Sequence, residues 1–163
     1  MLSKKSSDIF QEHMPGNICF GCGKDTKNGL HIQSYWNDKK AECVWTPGNN
    51  HQGWPNILNG GIIATIIDCH CMATAMAYAY GNEGRNLDSK PVYKYATGTI
   101  KVKYIFPTPH GKVKLLSQVD SYAEKKVFVT CDLYSGDKKT ASAEVIAFRV
   151  YDSSKLDKND FAP

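Results

Sequence analysis

The chain has 163 residues, of which 42% are hydrophobic, and a formal net charge of +4. This length and make-up are those of one globular domain, which excludes several independently folded units. The modest charge gives no reason to expect nucleic acid as a partner, and the six scattered cysteines form no framework of the disulfide-rich secreted kind. Residues 1–14 carry charges and no apolar core, so they predict no secretory signal and a reduced, cytoplasmic setting.

The two ends of the chain are polar and are expected to be flexible tails, at 1–14 and 152–163. Between them a single domain is predicted at 15–151, without an internal repeat or a linker. Its first elements are two strands at 30–36 and 41–46, which form a hairpin around an Asn-Asp turn.

The most apolar stretch of the chain, residues 62–80, predicts one long helix. Asn59 is a good N-cap because its side chain accepts from free first-turn N–H groups, and Gly81 allows the left-handed exit at the other end. Apolar residues occupy nearly every face, so the helix is expected to be buried by the rest of the domain. Its length also fits a membrane span, but Asp68 and His70 near its centre argue against a membrane as partner.

Four strands are predicted after the helix. Apolar and polar side chains alternate in 97–106, and the other three strands cover 113–119, 127–133 and about 140–151. The element order predicts an α+β domain in which a curved antiparallel sheet of about six strands wraps one buried helix. A single sheet leaves its edges open, so a homodimer is expected, with a dimer of dimers as an open alternative.

Asp68 is an isolated carboxylate in the apolar helix, with only the weakly basic His70 within one helical turn. Burying an unpaired carboxylate is costly, so such a group is partnered, protonated or functional. A structural aspartate satisfied by backbone or hydroxyl donors is the alternative. His70 projects from roughly the opposite face and is predicted to be a core histidine, and Cys69 and Cys71 to be small core residues.

The pair Cys19-x-x-Cys22 has a spacing that serves zinc and redox sites. No second pair of this kind completes four ligands, although Cys43 and His31 could converge with it in space. The sequence therefore favours neither chemistry, and we expect no metal and no cofactor.

Asn59-Gly60-Gly61, followed by six residues and Asp68, resembles the His-Gly-Gly…Asp pattern of the hotdog-fold thioesterases, specifically the PaaI-like acyl-CoA thioesterases. Three further segments are similar to parts of this family and extend the resemblance over residues 17–150. They are His51-Gln52-Gly53-Trp54-Pro55 before the motif, Tyr104-Ile105-Phe106-Pro107 with Gly111 after it, and Cys19-Phe20-Gly21-Cys22-Gly23 with Asn28-Gly29-Leu30 near the start.

The resemblance implies a hotdog fold and hydrolysis of an acyl-CoA or related thioester, with Asp68 as general base or nucleophile. A helix N-terminus offers free N–H groups and a positive dipole end, so the Gly61 N–H is the candidate oxyanion donor. The resemblance also implies that Thr97, contributed across the dimer, orients the water. By simple alternation along the strand, the Thr97 side chain would face the same way as Lys101 and away from Ile100 and Val102. A bulge at Gly98 that reorients Thr97 is therefore expected.

Three neighbouring residues, His51, Asn59 and Gly60, are expected to bind the substrate, and Gln52 to help polarise its carbonyl group. A basic segment between Lys90 and Lys114 either attracts the phosphates of CoA or is only a solvated strand face.

Two other functions stay open. Asn59 stands where the family usually carries His and offers only neutral hydrogen bonds, so a non-catalytic acyl-CoA-binding module is one alternative. A hotdog dehydratase or hydratase is the other, and it needs a histidine paired with an acid at one reacting carbon. His70 is predicted to face away from Asp68, which disfavours this alternative.

Overall fold

The computed structural model describes residues 8–155 and residue 161. Its strands are β1 (Ser34–Asn37), β2 (Lys40–Trp45), β3 (Gln52–Trp54), β4 (Ile57–Leu58), β5 (Tyr93–Tyr104), β6 (Val113–Ala123), β7 (Lys126–Ser135) and β8 (Lys138–Asp152). The α-helix of the described residues, α1 (Gly60–Asn82), lies between β4 and β5, and short 3-10 helices cover Phe10–His13 and Asn49–His51.

Six strands form one antiparallel sheet in the order β1-β2-β6-β7-β8-β5, and its inner face packs against α1. This confirms the predicted α+β class, in which a sheet of six strands wraps one helix. The two-stranded sheet of β3 and β4 is separate and was not predicted, because strands of two or three residues leave no periodic pattern.

The first predicted strand, 30–36, is shorter in the structure and begins only at Ser34. His31 has a φ of 52°, which is incompatible with extended backbone. Leu30 and Ile32 donate their N–H groups to the carbonyls of Phe20 and Gly21 instead of to a strand. The chain before β1 is therefore tied to the loop that contains Cys19 and Cys22.

Helix α1 is the core of the domain, as predicted. It is long and apolar enough to cross a membrane, but 67% of its most apolar window is buried inside the protein. Such burial is the pattern of a core helix, because a sheet rather than lipid covers its apolar faces.

The buried His70 belongs to a polar network whose directions can be assigned. The Ser34 N–H donates to Gln11 Oε1 at 2.8 Å, which orients the Gln11 amide so that its Nε2 donates to Ser34 Oγ at 3.0 Å. Ser34 Oγ lies 2.8 Å from His70 Nδ1, and the Ser34 hydroxyl donates its proton to that nitrogen. His70 Nε2 lies 3.0 Å from Ser117 Oγ and 3.3 Å from the Ala41 carbonyl. The ring is therefore held neutral, with its proton on Nε2.

This network confirms that His70 is a core histidine. Its side chain is 0% exposed, and burial lowers its pKa from 6.5 to about 4, against the opposing effects of the Ala41 carbonyl and Glu42.

Residues 1–14 were expected to be a flexible tail, but the part that the structure describes is packed onto the domain. Phe10 is fully buried and meets Trp36 edge to face, with ring centroids 5.2 Å apart. Gln11 joins the His70 network, so the segment around Phe10–His13 is packed onto the domain rather than loose. Residues 1–7, 156–160 and 162–163 lie outside the described residues, and the prediction of flexible tails stays a prediction for them.

Candidate active site

Asp68 and Thr97 are in direct contact. Thr97 Oγ1 donates to Asp68 Oδ1 at 2.5 Å. The register of β5 against β8 shifts between Thr97 and Thr99, which is the predicted bulge. A Cβ on Gly98 would lie 2.2 Å from Cε2 of Phe148. Only glycine leaves space for this ring, and the bulge turns the Thr97 hydroxyl towards α1.

The contact is made within one chain, because β5 packs directly along α1 and its bulge brings Thr97 to the Asp68 of the same chain. The expectation that Thr97 is contributed across a dimer to orient the water stays a prediction.

Burial is the largest influence on the Asp68 carboxyl and raises its pKa, because water is partly removed from the charged form. The hydrogen bond from Thr97 acts in the opposite direction, and the neighbouring Cys19 raises the pKa further. A half-buried carboxylate with a raised pKa and one fixed donor has the properties of a general base.

Thr97→Val is expected to lower kcat for thioester hydrolysis about tenfold or more, because a hydrogen bond to a charged group contributes about 1.5–3 kcal/mol. It should also move the acid limb of the pH profile to higher pH, since Thr97 lowers the pKa of Asp68. The profile is to be measured in buffer free of metal ions, with Thr97→Ser as the control that restores the hydroxyl. An unchanged acid limb in Thr97→Val would contradict the assignment of this hydroxyl to Asp68.

The start of α1 is capped by its own side chain. Asn59 Oδ1 accepts from the Gly61 N–H at 2.8 Å and from the Ile62 N–H at 3.1 Å. The expectation that the Gly61 N–H is a free oxyanion donor is therefore corrected, because the cap already occupies it. Gly60 is the first helical residue, and no hydrogen bond found in residues 8–155 engages its N–H.

Asn59→Ala is expected to lower the free energy of unfolding by about 1 kcal/mol, since it leaves two first-turn N–H groups without their acceptor. Asn59→Asp is the matched control because its carboxylate caps equally well and should retain the stability. Urea denaturation followed by circular dichroism measures both. Equal losses in the two variants would show that the side chain acts in some other way than as a cap.

Gln52 and His51 hold the loop before the helix together. Gln52 Nε2 donates to the Asn49 carbonyl at 3.0 Å, and its Oε1 accepts from the Asn56 N–H at 2.7 Å. The Gly48 N–H donates to Nδ1 of His51 at 2.8 Å, and the His51 carbonyl accepts from the Asn59 N–H at 2.9 Å. These contacts place the helix start, and the expected contact of both side chains with substrate stays a prediction.

A groove of about 300 Å³ opens beside the helix start. Its lining is mostly apolar and consists of Ile57, Leu58, Gly60, Ile63, Tyr104, Ile105, Phe106, Pro107 and Thr108. Tyr104 closes one side by donating its hydroxyl to the Gly60 carbonyl at 2.6 Å. The groove does not include Asp68, so the apolar binding space and the carboxylate are separate parts of the surface.

A third cysteine joins the pair Cys19 and Cys22. It is Cys69, which was predicted to be only a small core residue, and the three sulfur atoms lie within 4.8 Å of one another. Spacing along the sequence does not reveal this contact, because Cys69 lies 50 residues after Cys19. His31, considered earlier as a possible fourth ligand, places its Nδ1 3.1 Å from the Gly23 carbonyl instead.

No protein-family model matches the chain. Among curated proteins it is similar to the acyl-coenzyme A thioesterase THEM4 of Rattus norvegicus, with 30% identity over 122 residues that cover 73% of this chain and 47% of the relative. The chain thus spans about half the length of the curated relatives it matches.

Among solved structures, the chain is similar to a thioesterase superfamily protein from Shewanella loihica. The TM-score is 0.61 at 25% identity, and the match covers 74% of this chain and 91% of that one. It is also similar to the Escherichia coli PaaI protein, with a TM-score of 0.60 at 11% identity over 76% and 82% of the two chains.

A helix wrapped by a six-stranded antiparallel sheet, with an acid on the helix facing a hydroxyl on the edge strand, is the architecture of a hotdog domain. In sequence and in fold, the chain is similar to members of the hotdog-fold thioesterase superfamily. The likeness predicted from the Asn-Gly-Gly…Asp motif is thereby confirmed.

Proposed function

We propose that this protein hydrolyses an acyl-CoA or closely related thioester to the free acid and the thiol. The observation that carries the proposal is the hydrogen bond of 2.5 Å from Thr97 to Asp68 on the helix of a hotdog domain. The name of the rat relative, an acyl-coenzyme A thioesterase, supports the substrate class.

In the proposed reaction, Asp68 acts as general base. Thr97 occupies Oδ1, so the second carboxylate oxygen is left to accept a proton from water. The water oxygen bonds to the thioester carbon, the C–S bond breaks, and the thiolate takes the proton from Asp68, so that it leaves as the thiol and the carboxylate is restored. A raised pKa suits Asp68 for this role, because it makes the carboxylate a stronger base.

The oxyanion donor has to come from another helix than the one that carries Asp68. Gly60 precedes Asp68 by eight residues, which is about 12 Å along the helix axis. A carbonyl bond is only about 1.2 Å long, so one thioester cannot touch both positions of one chain. We propose that the helix start of a second copy supplies the N–H, which makes the active site a property of the homodimer.

The edge of the sheet supports this dimer. β5 is the last strand of the sheet, and a strand edge of this length is usually covered. Ile100 on β5 is 37% exposed and Phe148 on the adjacent β8 is 40% exposed, so apolar surface accompanies the open edge. Light scattering should give at least twice the mass of one chain, and a monomer would contradict the proposed site.

The test of the function is hydrolysis of a panel of acyl-CoAs with short, long and aromatic acyl groups. Product should be followed by chromatography, because the free cysteines would react with a thiol-sensitive dye. We expect turnover of at least one class, with the apolar part of the substrate in the groove beside Gly60.

A second candidate is an acyl-CoA-binding module without turnover. It is favoured by the Asn59 cap, which occupies the N–H groups of Gly61 and Ile62 and leaves a thioester carbonyl fewer donors at the helix start. Binding of CoA esters with no hydrolysis of any panel member would support this candidate. A dehydratase or hydratase is disfavoured, because His70 is buried on the core side of the helix and does not reach a substrate.

A further inference from the structure

Three thiol groups converge on the flank of α1, next to the proposed catalytic carboxylate. The sulfur atoms of Cys19, Cys22 and Cys69 all lie within 4.8 Å of one another, and those of Cys19 and Cys69 are 3.6 Å apart. Zn–S bonds of about 2.3 Å place the sulfurs of a tetrahedral zinc site about 3.8 Å apart. The spacing of the three thiols is therefore close to that of three corners of such a site.

The loop that carries Cys19 and Cys22 requires glycine to bring the sulfurs together. A Cβ on Gly21 would lie 2.4 Å from Sγ of Cys69, and a Cβ on Gly23 would lie 2.8 Å from the Cys19 carbonyl oxygen. Any side chain at Gly21 would push the loop away from the helix. The close approach of the loop to Cys69 therefore depends on the absence of a side chain at Gly21.

Donor groups point at two of the three sulfurs. The Gly21 N–H donates to Cys19 Sγ at 3.3 Å, and Asn17 Nδ2 donates to Cys22 Sγ at 3.3 Å. Asn17 also accepts from the Cys19 N–H at 3.0 Å, so one side chain fixes both ends of the turn. Such contacts stabilise thiolates and orient them as metal ligands.

The acidity of the cluster is consistent with this arrangement. The thiol of Cys69 hydrogen-bonds to both other sulfurs and is the largest cause of a lowered pKa at Cys19, to about 5, and of a lowered pKa at Cys22. The same hydrogen bonds raise the pKa of Cys69.

We propose that Cys19, Cys22 and Cys69 form a binding site for a thiophilic cation of the zinc class. Cys22 and Cys69 are buried and Cys19 is exposed, so the fourth coordination position faces solvent on the side of Cys19 and takes water or another small ligand. The ion fastens the loop at Asn17–Gly23 to the helix that carries Asp68. The three thiols would bind the ion whether or not the chain hydrolyses thioesters.

The test uses Zn²⁺ and the reduced full chain without a polyhistidine tag. Competition with a chromogenic chelator should give one Zn²⁺ per chain, and Co²⁺ should give the visible spectrum of a tetrahedral thiolate site. Cys19→Ser should weaken zinc binding roughly tenfold or more. Cys131→Ala, which removes a buried thiol outside the cluster, should leave zinc binding unchanged.

Because Cys19 is exposed, Cys19→Ser should keep the fold, and circular dichroism will verify this. The second variant is Cys22→Ser, and Zn²⁺ should raise the melting temperature of the parent but not of either variant. Equal zinc binding by the parent and Cys19→Ser would overturn the proposal. The proposal would also be overturned if protein purified without reductant contains a disulfide within the cluster and the chain binds no zinc after reduction.

Discussion

Asp68→Asn is expected to lower kcat for acyl-CoA hydrolysis by about a hundredfold or more, because a positioned general base contributes about 10²–10⁴ to the rate. Asparagine keeps the shape of the side chain and the contact with Thr97, but it cannot accept a proton from water. Binding of the CoA ester, measured by calorimetry, should change little, since the loss concerns the transition state.

Two controls make the Asp68→Asn result specific. Asp120→Asn changes an exposed acid that accepts a hydrogen bond from Gln118 and lies outside the candidate site, and it should retain full activity. The Asp68→Asn protein should be at least as stable as the parent, because burial penalises the charged carboxylate. Full activity in Asp68→Asn would remove Asp68 from the mechanism, and loss of folding would leave its role structural.

The second large effect concerns stability at low pH. Burial holds His70 neutral and lowers its pKa from 6.5 to about 4. Between these values the unfolded chain binds a proton at this position and the folded chain does not, so the free energy of unfolding decreases as the pH falls. The decrease begins near pH 6.5 and is complete below about pH 4, where it reaches about 3 kcal/mol.

Urea denaturation of the parent and of His70→Gln at several pH values between 7.5 and 4 measures this effect. A chelator should be present, so that the pH dependence of metal binding does not contribute. The difference between the two slopes isolates His70 from other titrating groups. If His70→Gln does not fold, an NMR titration of the His70 ring in the parent replaces it. A ring that titrates near its ordinary pKa would contradict the proposed neutral network.

The helix and the main sheet were predictable because each follows a long periodic pattern. The apolar run at 62–80 and the alternation in 97–106 both extend over many residues, and the structure has α1 and β5 at these places. The predicted start of the strand at 30–36 was wrong because His31 adopts a positive φ. A single residue of this kind does not change the pattern of hydrophobicity, so the sequence does not reveal it.

The sequence predicted several residues of the candidate site but not the contacts that they make. Asp68 stands out as an acid in an apolar helix, and the bulge at Gly98 follows from a conflict between alternation and motif. The sequence did not reveal that the Asn59 side chain occupies the Gly61 N–H, because a good N-cap and a free oxyanion donor have the same local sequence. Nor did it reveal Cys69 beside Cys19, since that contact joins positions 50 residues apart.

The ring of Phe148 lies where a side chain at position 98 would be. A side chain at position 98 therefore requires this ring to move or to be replaced by a smaller group. Both positions are exposed, so the core has no part in this adjustment. A substitution at position 98 would then act on the bulge that directs Thr97 to Asp68 and leave the rest of the fold unchanged.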